Sequence, residues 1–184
     1  MPEPSILNII DTLAKVGVGA FISAFTAYLL TNKKLQHDIE KTKWSVRKDL
    51  LLEVNRYSHL YFSECSKLLA ALDGVSKDIE QNGQPCGDYK YFLDSKDKLY
   101  VESISNIEAC HGLLTVLSGN DSKARDKFWQ YEKEVRRLRN DVFRKGKDPE
   151  IPSKYVLNEV RNTLSDLRSE FYLKLREQVS FQHA

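Results

Sequence analysis

The sequence is poor in the residues that interrupt helices. Its 184 residues include only 8 glycines and 5 prolines, and no stretch alternates apolar with polar residues as a half-buried strand does. Glycine and proline are the residues that helix interiors tolerate least, so their scarcity favours long helices joined by few turns. We therefore expect an all-α chain, with a length that suits one ordinary domain plus a short additional segment.

Cysteine is scarce as well. Cys65, Cys86 and Cys110 are an odd number without paired spacing, which argues against a disulfide framework. We interpret them as buried or idle thiols. The formal net charge is only +2, so bulk charge does not indicate a nucleic-acid partner.

The motifs of common active sites are missing. The sequence contains no HExxH, no GxSxG, no GxGxxG and no phosphate-binding GxxxxGK motif. Cys110 and His111 are neighbours, but adjacent helix positions point about 100° apart, so the two side chains do not readily chelate one ion. We therefore predict no catalytic residue, no metal and no cofactor.

One long apolar run lies near the N-terminus. Residues Ile6 to Leu30 read ILNIIDTLAKVGVGAFISAFTAYLL, and a helix of this length, at about 1.5 Å per residue, would cross a bilayer with some tilt. Asp11 and Lys15 interrupt its first half. The run predicts a transmembrane anchor over residues 1–32.

The charges around this run predict its orientation. Glu3 precedes the run, whereas Lys33 and Lys34 follow it. This order fits an anchor better than a cleaved signal peptide, and by the positive-inside rule the C-terminal side is cytoplasmic. We therefore expect a single-pass protein of the inner (plasma) membrane, with residues 33–184 as a cytoplasmic helical bundle.

The polar residues of the apolar run are expected to share one face of the helix. On a helical wheel they fall within a stripe roughly 120° wide, which a lone helix in lipid does not need. Several copies could turn this stripe inward, so it predicts a homo-oligomer whose helices surround a polar lumen. In an alternative interpretation, residues Asn8 to Lys15 lie outside the membrane, and the hydroxyl groups of Ser23 and Thr26 hydrogen-bond to the backbone of their own helix. The stripe consists of Asn8, Asp11, Thr12, Lys15, Gly19, Ser23 and Thr26.

The rest of the chain predicts a bundle. Apolar residues recur at threes and fours among charged ones, which is the period of an amphipathic helix. The turn-rich segments NGQPCGD and GKDPEIP are loop signals, and Asp121 or Ser122 and then Ser153 are candidate N-caps. We predict an antiparallel bundle of about four helices, at about residues 36–81, 95–118, 122–144 and 154–181.

A basic cluster closes the third of these helices. Cations are favoured at a helix C-terminus, so part of the cluster is explained by the helix dipole and a solvated surface. The same residues could bind an anionic lipid, a nucleotide or RNA. They are Arg136, Arg137, Arg139, Asn140, Arg144 and Lys145.

The segment Arg139-Asn140-Asp141-Val142-Phe143-Arg144 resembles the R-x4-6-H element of HEPN ribonucleases, which are helical proteins common in defence systems. The resemblance implies RNA cleavage by an Arg and a His from two protomers. Here Arg144 stands where the His is expected, and arginine cannot act as a general base because it stays protonated. We therefore predict that the chain is not an enzyme.

The layout of the whole chain resembles the small membrane accessory proteins of RNA-targeting CRISPR systems. That resemblance implies an oligomeric membrane effector that forms a pore or perturbs the membrane in antiviral defence. Its expected partners are the lipid bilayer, further copies of the chain, and an RNA, nucleotide or protein trigger. Two alternatives stay open: a membrane-tethered RNA- or nucleotide-binding HEPN-like module, and a scaffold that recruits a cytoplasmic partner to the membrane.

Overall fold

The computed structural model describes residues 6–85, 87–118, 122–144 and 147–180, with side chains for all of these except 6–19, 21, 22, 118 and 178–180. Every regular element in these ranges is a helix, so the prediction of an all-helical bundle is confirmed. The helices are α1 (Ile6–Asn82), α2 (Tyr89–Glu102), α3 (Ile104–Ser118), α4 (Lys123–Val142) and α5 (Lys154–Ser180).

The prediction of a membrane-spanning helix is wrong. Within the described ranges, no helix combines the length and the apolar content that crossing a bilayer requires. The physical reason lies in the composition of α1. Asp11 and Lys15 interrupt its apolar run, and the uninterrupted part, Val16 to Leu30, is shorter than the roughly 20 residues that a span needs. Helix α1 then continues into a charged stretch that begins at Lys33.

The chain divides into two compact units, Met1–Lys48 and Asp49–Ala184, and the division falls inside α1. The predicted domain boundary at residue 32 lies within the first unit. In that unit, every described side chain from residue 23 to residue 46 is exposed. In the second unit, Val54 is the first fully buried residue along the chain.

The second unit is an antiparallel helical bundle built from the C-terminal part of α1 and from α2 to α5. Arg161 near the start of α5 lies 3.4 Å from Asp73 in α1, and Lys154 lies 4.0 Å from Glu80 further along α1. Because the residue numbers run in opposite directions, the two helices are antiparallel. The same reversal relates α2 and α3 to α4, in the pairs Arg139–Asp97 and His111–Glu132. Lys127 of α4 pairs with Glu170 of α5.

Aromatic rings fill the centre of the bundle. Phe62 of α1, Phe128 of α4 and Phe171 of α5 are fully buried, and their ring centroids lie 5.5 to 5.7 Å apart. These distances are typical of favourable tilted and edge-to-face pairs. The three rings join three helices, so the bundle's core is centred on them.

The predicted boundary signals act as expected at the starts of α4 and α5. The Ser122 side chain accepts a hydrogen bond from the Arg125 backbone N–H at 3.0 Å, which confirms Ser122 as an N-cap. Asp121, the alternative cap, lies outside the described residues. Ser153 Oγ accepts a longer bond from Val156 N at 3.5 Å, and α5 begins at the next residue, Lys154.

The second predicted helix differs from the observed structure. It begins at Tyr89 because Asp88 Oδ1 accepts a hydrogen bond from the Tyr91 N–H at 3.1 Å and caps the helix. It also breaks at Ser103, which divides it into α2 and α3. The side chain of Ser103 donates to the carbonyl of Tyr100 at 2.6 Å, a local bond that competes with regular helix pairing.

Candidate functional site

Helix α4 presents an apolar face to the core and a charged face to the surroundings. Its buried apolar residues follow helical spacing, so the basic residues between them are placed on the other faces. Asp126 in the first turn and Arg139 in the last match the helix dipole. The buried apolar residues of this face are Ala124, Phe128, Tyr131, Val135, Leu138 and Val142.

Arg139 is held by a carboxylate of α2. Its Nε donates to Asp97 Oδ1 at 2.6 Å and its Nη2 donates to Asp97 Oδ2 at 2.8 Å. Only 30% of the Arg139 side chain and 16% of the Asp97 side chain are exposed. The paired carboxylate raises the pKa of the Arg139 guanidinium, which also lies over the Tyr100 ring at 5.8 Å. This two-bond pairing, called the Arg139–Asp97 fork below, joins α2 to α4. The Arg139 guanidinium is therefore already bound to a carboxylate of the protein itself.

Arg136 belongs to a second pairing that the sequence did not reveal. Glu132 is buried in α4, and its carboxylate accepts a hydrogen bond from Arg136 Nη2 through one oxygen. The other oxygen, Oε2, lies 3.2 Å from His111 Nε2 of α3. The i, i+4 spacing of Glu132 and Arg136 in the sequence predicts their ion pair. No local sequence pattern predicts that His111, 21 residues from Glu132, joins it.

A histidine next to a carboxylate is an arrangement that can serve as a general base. The neighbouring thiol, Cys110, does not complete a nucleophilic site, because its Sγ lies 4.0 Å from the Val54 carbonyl in the core. The His111 ring instead packs edge-on against Phe128, with centroids 5.1 Å apart. The pairing therefore joins α3 to α4.

The remaining basic residues of α4 are more open. Arg137 has 75% of its side chain exposed, and its Nη1 lies 4.0 Å from Glu134 Oε2. Arg144 is also exposed, and its Nη1 lies 3.7 Å from Glu150 Oε2. Asn140 is exposed between them. Lys145 lies outside the described residues. Among the predicted anion-binding residues, Arg137 and Arg144 therefore have exposed guanidinium groups with only long ion pairs.

Burial keeps the core thiols neutral. It raises the pKa of Cys65 and that of Cys110 to about 12, so neither thiol is ionised at neutral pH. Burial also raises the pKa of Tyr61, whose hydroxyl makes no hydrogen bond of ordinary geometry with a described residue. Because the thiolate is the nucleophilic form of cysteine, these thiols contribute packing.

A shallow groove of about 380 Å³ lies between α1 and the start of α2. Its small residues leave space, since a Cβ built on Gly74 meets no atom within 4 Å. Aromatic rings and carboxylates share its lining, a combination that suits a partly apolar ligand carrying positive charge. The lining residues are Ala70, Ala71, Gly74, Val75, Asp78, Asp88, Tyr89 and Phe92.

The predicted lumen residues are described only in part. Ser23 and Thr26 are exposed on α1. The others lie outside the residues whose side chains the structure describes: Asn8, Asp11, Thr12, Lys15 and Gly19.

No metal centre is found among the described residues, where no three His, Cys, Asp or Glu side chains are arranged to hold an ion. Comparisons with protein families, with curated proteins and with solved structures found no match.

Proposed function

We propose that this protein is a non-catalytic, self-associating adaptor: copies associate through α1, and the bundle binds a partner protein. The observation that carries the proposal is the uncovered apolar side of α1. Between residues 23 and 46 all described side chains are exposed, and they include large apolar residues such as Leu35, Ile39 and Val46. A helix that exposes such residues at helical spacing gains free energy when another surface covers them.

The charged groups of the bundle favour a binding role over catalysis. Arg139 and Asp97 form an ion pair, and the Glu132 carboxylate contacts both Arg136 and His111. These groups are satisfied within the fold, so they stabilise the bundle and are not poised toward a substrate.

The groove between α1 and α2 is the surface that we assign to the partner. Tyr89 and Phe92 supply rings and Asp78 supplies a carboxylate, so a segment that combines aliphatic with basic side chains is its complement. Lys96 already lies 5.5 Å from the Phe92 ring, which is the kind of contact that a partner's lysine or arginine would make.

Light scattering on the full-length protein tests the self-association. We expect the wild type to have a multiple of the 21.3 kDa chain mass, and Leu35→Asp to have the mass of one chain because a charge then enters the covered face. Leu30→Asp is the matched control, since Leu30 is equally exposed on α1 but lies away from the face of Leu35 and Ile39. A wild type with the mass of one chain would contradict the proposal.

A peptide-display selection tests the groove. Selected peptides are expected to combine apolar with basic residues, and Gly74→Gln should abolish their binding by filling the groove. Gly112→Gln is the control, because Gly112 is another helical glycine with open space around its Cα and it does not line the groove. Equal binding by the two variants would remove the groove from the proposal.

A second candidate function is binding of RNA or another polyanion. The observation that favours it is the outward placement of Arg137 and Arg144, whose ion pairs are long at 4.0 and 3.7 Å. Binding should weaken as salt rises, because phosphate contacts release counterions. The double variant Arg137→Ala, Arg144→Ala should lose this binding, whereas Lys67→Ala, a change of another exposed cation, should keep it. Wild-type affinity in the double variant would dismiss this function.

The pore, the inner-membrane location, the antiviral role and the resemblance to HEPN and CRISPR accessory proteins stay predictions from the sequence.

A further inference from the structure

The uncovered side of α1 has the repeat of a coiled-coil seam. From Tyr28 to Val46, the positions that fall on one line follow the alternating spacing of four and three residues that defines a heptad. In heptad notation, Asn32, Ile39 and Val46 occupy position a, and Tyr28, Leu35 and Thr42 occupy position d. All six side chains are exposed.

The residue types at these positions favour two strands. Position a carries the β-branched residues Ile39 and Val46, and position d carries Leu35, which is the combination typical of parallel dimers. Asn32 is the single amide at an a position, a feature that fixes register and strand number in two-stranded coils. Thr42 fits the seam because its hydroxyl is already satisfied by the Asp38 carbonyl at 2.8 Å.

The flanking charges favour a parallel arrangement. Asp38 is the only charged residue at position g between residues 28 and 46, and Lys43 is the only charged residue at position e. Neither makes an ion pair with any residue that the structure describes. In a parallel pair, position g faces position e of the next heptad on the other chain, so Asp38 would meet Lys43 of the second copy twice by symmetry. An antiparallel pair would place g beside g and e beside e, and no opposite charges would meet.

We propose that residues 28–46 of α1 form a parallel, in-register, two-stranded coiled coil with a second copy of this chain. The inference rests on the self-association proposed above and adds its stoichiometry, direction and register. A second copy fits this seam better than lipid does, because Asn32 occupies an a position within the seam and Lys43 occupies the flanking e position. In hydrocarbon both would be costly, whereas in a dimer Asn32 pairs with its own equivalent.

Disulfide trapping tests the direction and the register. In the full-length protein with Cys86→Ser, the d-position variant Thr42→Cys should form a covalent dimer under mild oxidation, since residue 42 faces its equivalent only in a parallel, in-register pair. Lys41→Cys, at an outward position of the same helix turn, is the control and should remain largely unlinked. A protein that is dimeric by light scattering but unlinked at residue 42 would overturn the inference and leave self-association intact.

Charge exchange tests the Asp38–Lys43 pairing. Asp38→Lys should weaken the dimer about tenfold, because two attractive pairs become two repulsive ones. Adding Lys43→Asp should restore the affinity, and Glu40→Lys, a change at an outward position, should leave it unchanged. Sedimentation equilibrium gives the dissociation constants of the wild type and of these three variants. A double variant that is no tighter than Asp38→Lys alone would overturn the pairing.

The alternative occupant gives a different result. A wild-type protein could instead have the mass of one chain and co-sediment with vesicles of anionic phospholipid. That result would assign the exposed face of residues 28–46 to a lipid surface, and it would overturn both the coiled coil and the self-association.

Discussion

At the scale of single residues, several charged side chains of the bundle link one helix to another. The fork between Arg139 and Asp97 shows this most clearly, since it joins positions 42 residues apart through two short hydrogen bonds. The sequence predicts Arg139 and five neighbouring residues as one anion-binding cluster. In the fold, Arg139 is bound by Asp97, Arg136 is bound by Glu132, and Arg137 and Arg144 are exposed.

Arg139→Ala is expected to destabilise the fold. It leaves Asp97 partly buried without its partner, and we expect a loss of about 1–3 kcal/mol in the free energy of unfolding. Arg139→Lys should lose less, because it keeps the charge but not the fork. Urea denaturation measures both, with Arg137→Ala as the control that should leave the midpoint unchanged. Equal midpoints for Arg139→Ala and Arg137→Ala would show that the fork contributes nothing.

The raised pKa of the buried thiols predicts that the protein loses stability at alkaline pH. Burial raises the pKa of Cys65 from its ordinary value of 9.0 to about 12. Below the ordinary value the thiol is neutral in both the folded and the unfolded protein, and its contribution is fully present. As pH rises from 9.0 toward 12 the unfolded thiol ionises first, so the contribution is progressively lost. The free energy of unfolding should therefore fall through this window.

Cys65→Ala provides the comparison for this prediction. It removes the titrating thiol, so its stability should decline less steeply over the same pH window than that of the wild type. Equal slopes for the two proteins would rule Cys65 out as a source of the alkaline loss.

At the scale of helices and turns, two glycines lie close together in the sequence but have opposite roles. Gly74 lies inside α1 with open space where a Cβ would be, whereas Gly83 ends the helix with a φ of +74°. Gly74→Ala should stabilise the protein by about 0.5–1 kcal/mol, because alanine loses less backbone entropy in a helix. Gly83→Ala should destabilise it by about 1 kcal/mol, because L-residues rarely adopt that conformation. Thermal melts that shift in the same direction for both variants would contradict this.

The elements were predictable where a local signal decides the structure. Ser122 and Ser153 are capping residues next to strong helical periodicity, and α4 and α5 begin where they indicate. The break at Ser103 was not predictable, because nothing around it is unusual for a helix. Helix α1 runs unbroken through Gly74, since one glycine costs a long, packed helix only about 1 kcal/mol.

The candidate sites depend on contacts between distant parts of the chain. The pairing of His111 with Glu132 spans 21 residues and has no sequence signature. The membrane-spanning helix is a wrong prediction for a different reason. The length of the run from Ile6 to Leu30 suits a span, but Asp11 and Lys15 leave an uninterrupted apolar part that is too short.

At the scale of the whole molecule, the two units differ in how their apolar side chains are covered. In the second unit, residues such as Phe62 and Phe171 are fully enclosed by neighbouring helices. In the first unit, Leu35 and Ile39 belong to a single helix and are exposed. A helical stretch without a packing partner is marginal in water, so its stability should depend on a second copy.

Amide hydrogen exchange, followed by mass spectrometry at a series of protein concentrations, tests this dependence most directly. Peptides from residues 28–46 should become more protected as concentration rises, because a second chain then covers them, while peptides from α4 should keep the same protection throughout. Protection of residues 28–46 that does not change with concentration, in a protein of one chain mass, would contradict association through α1.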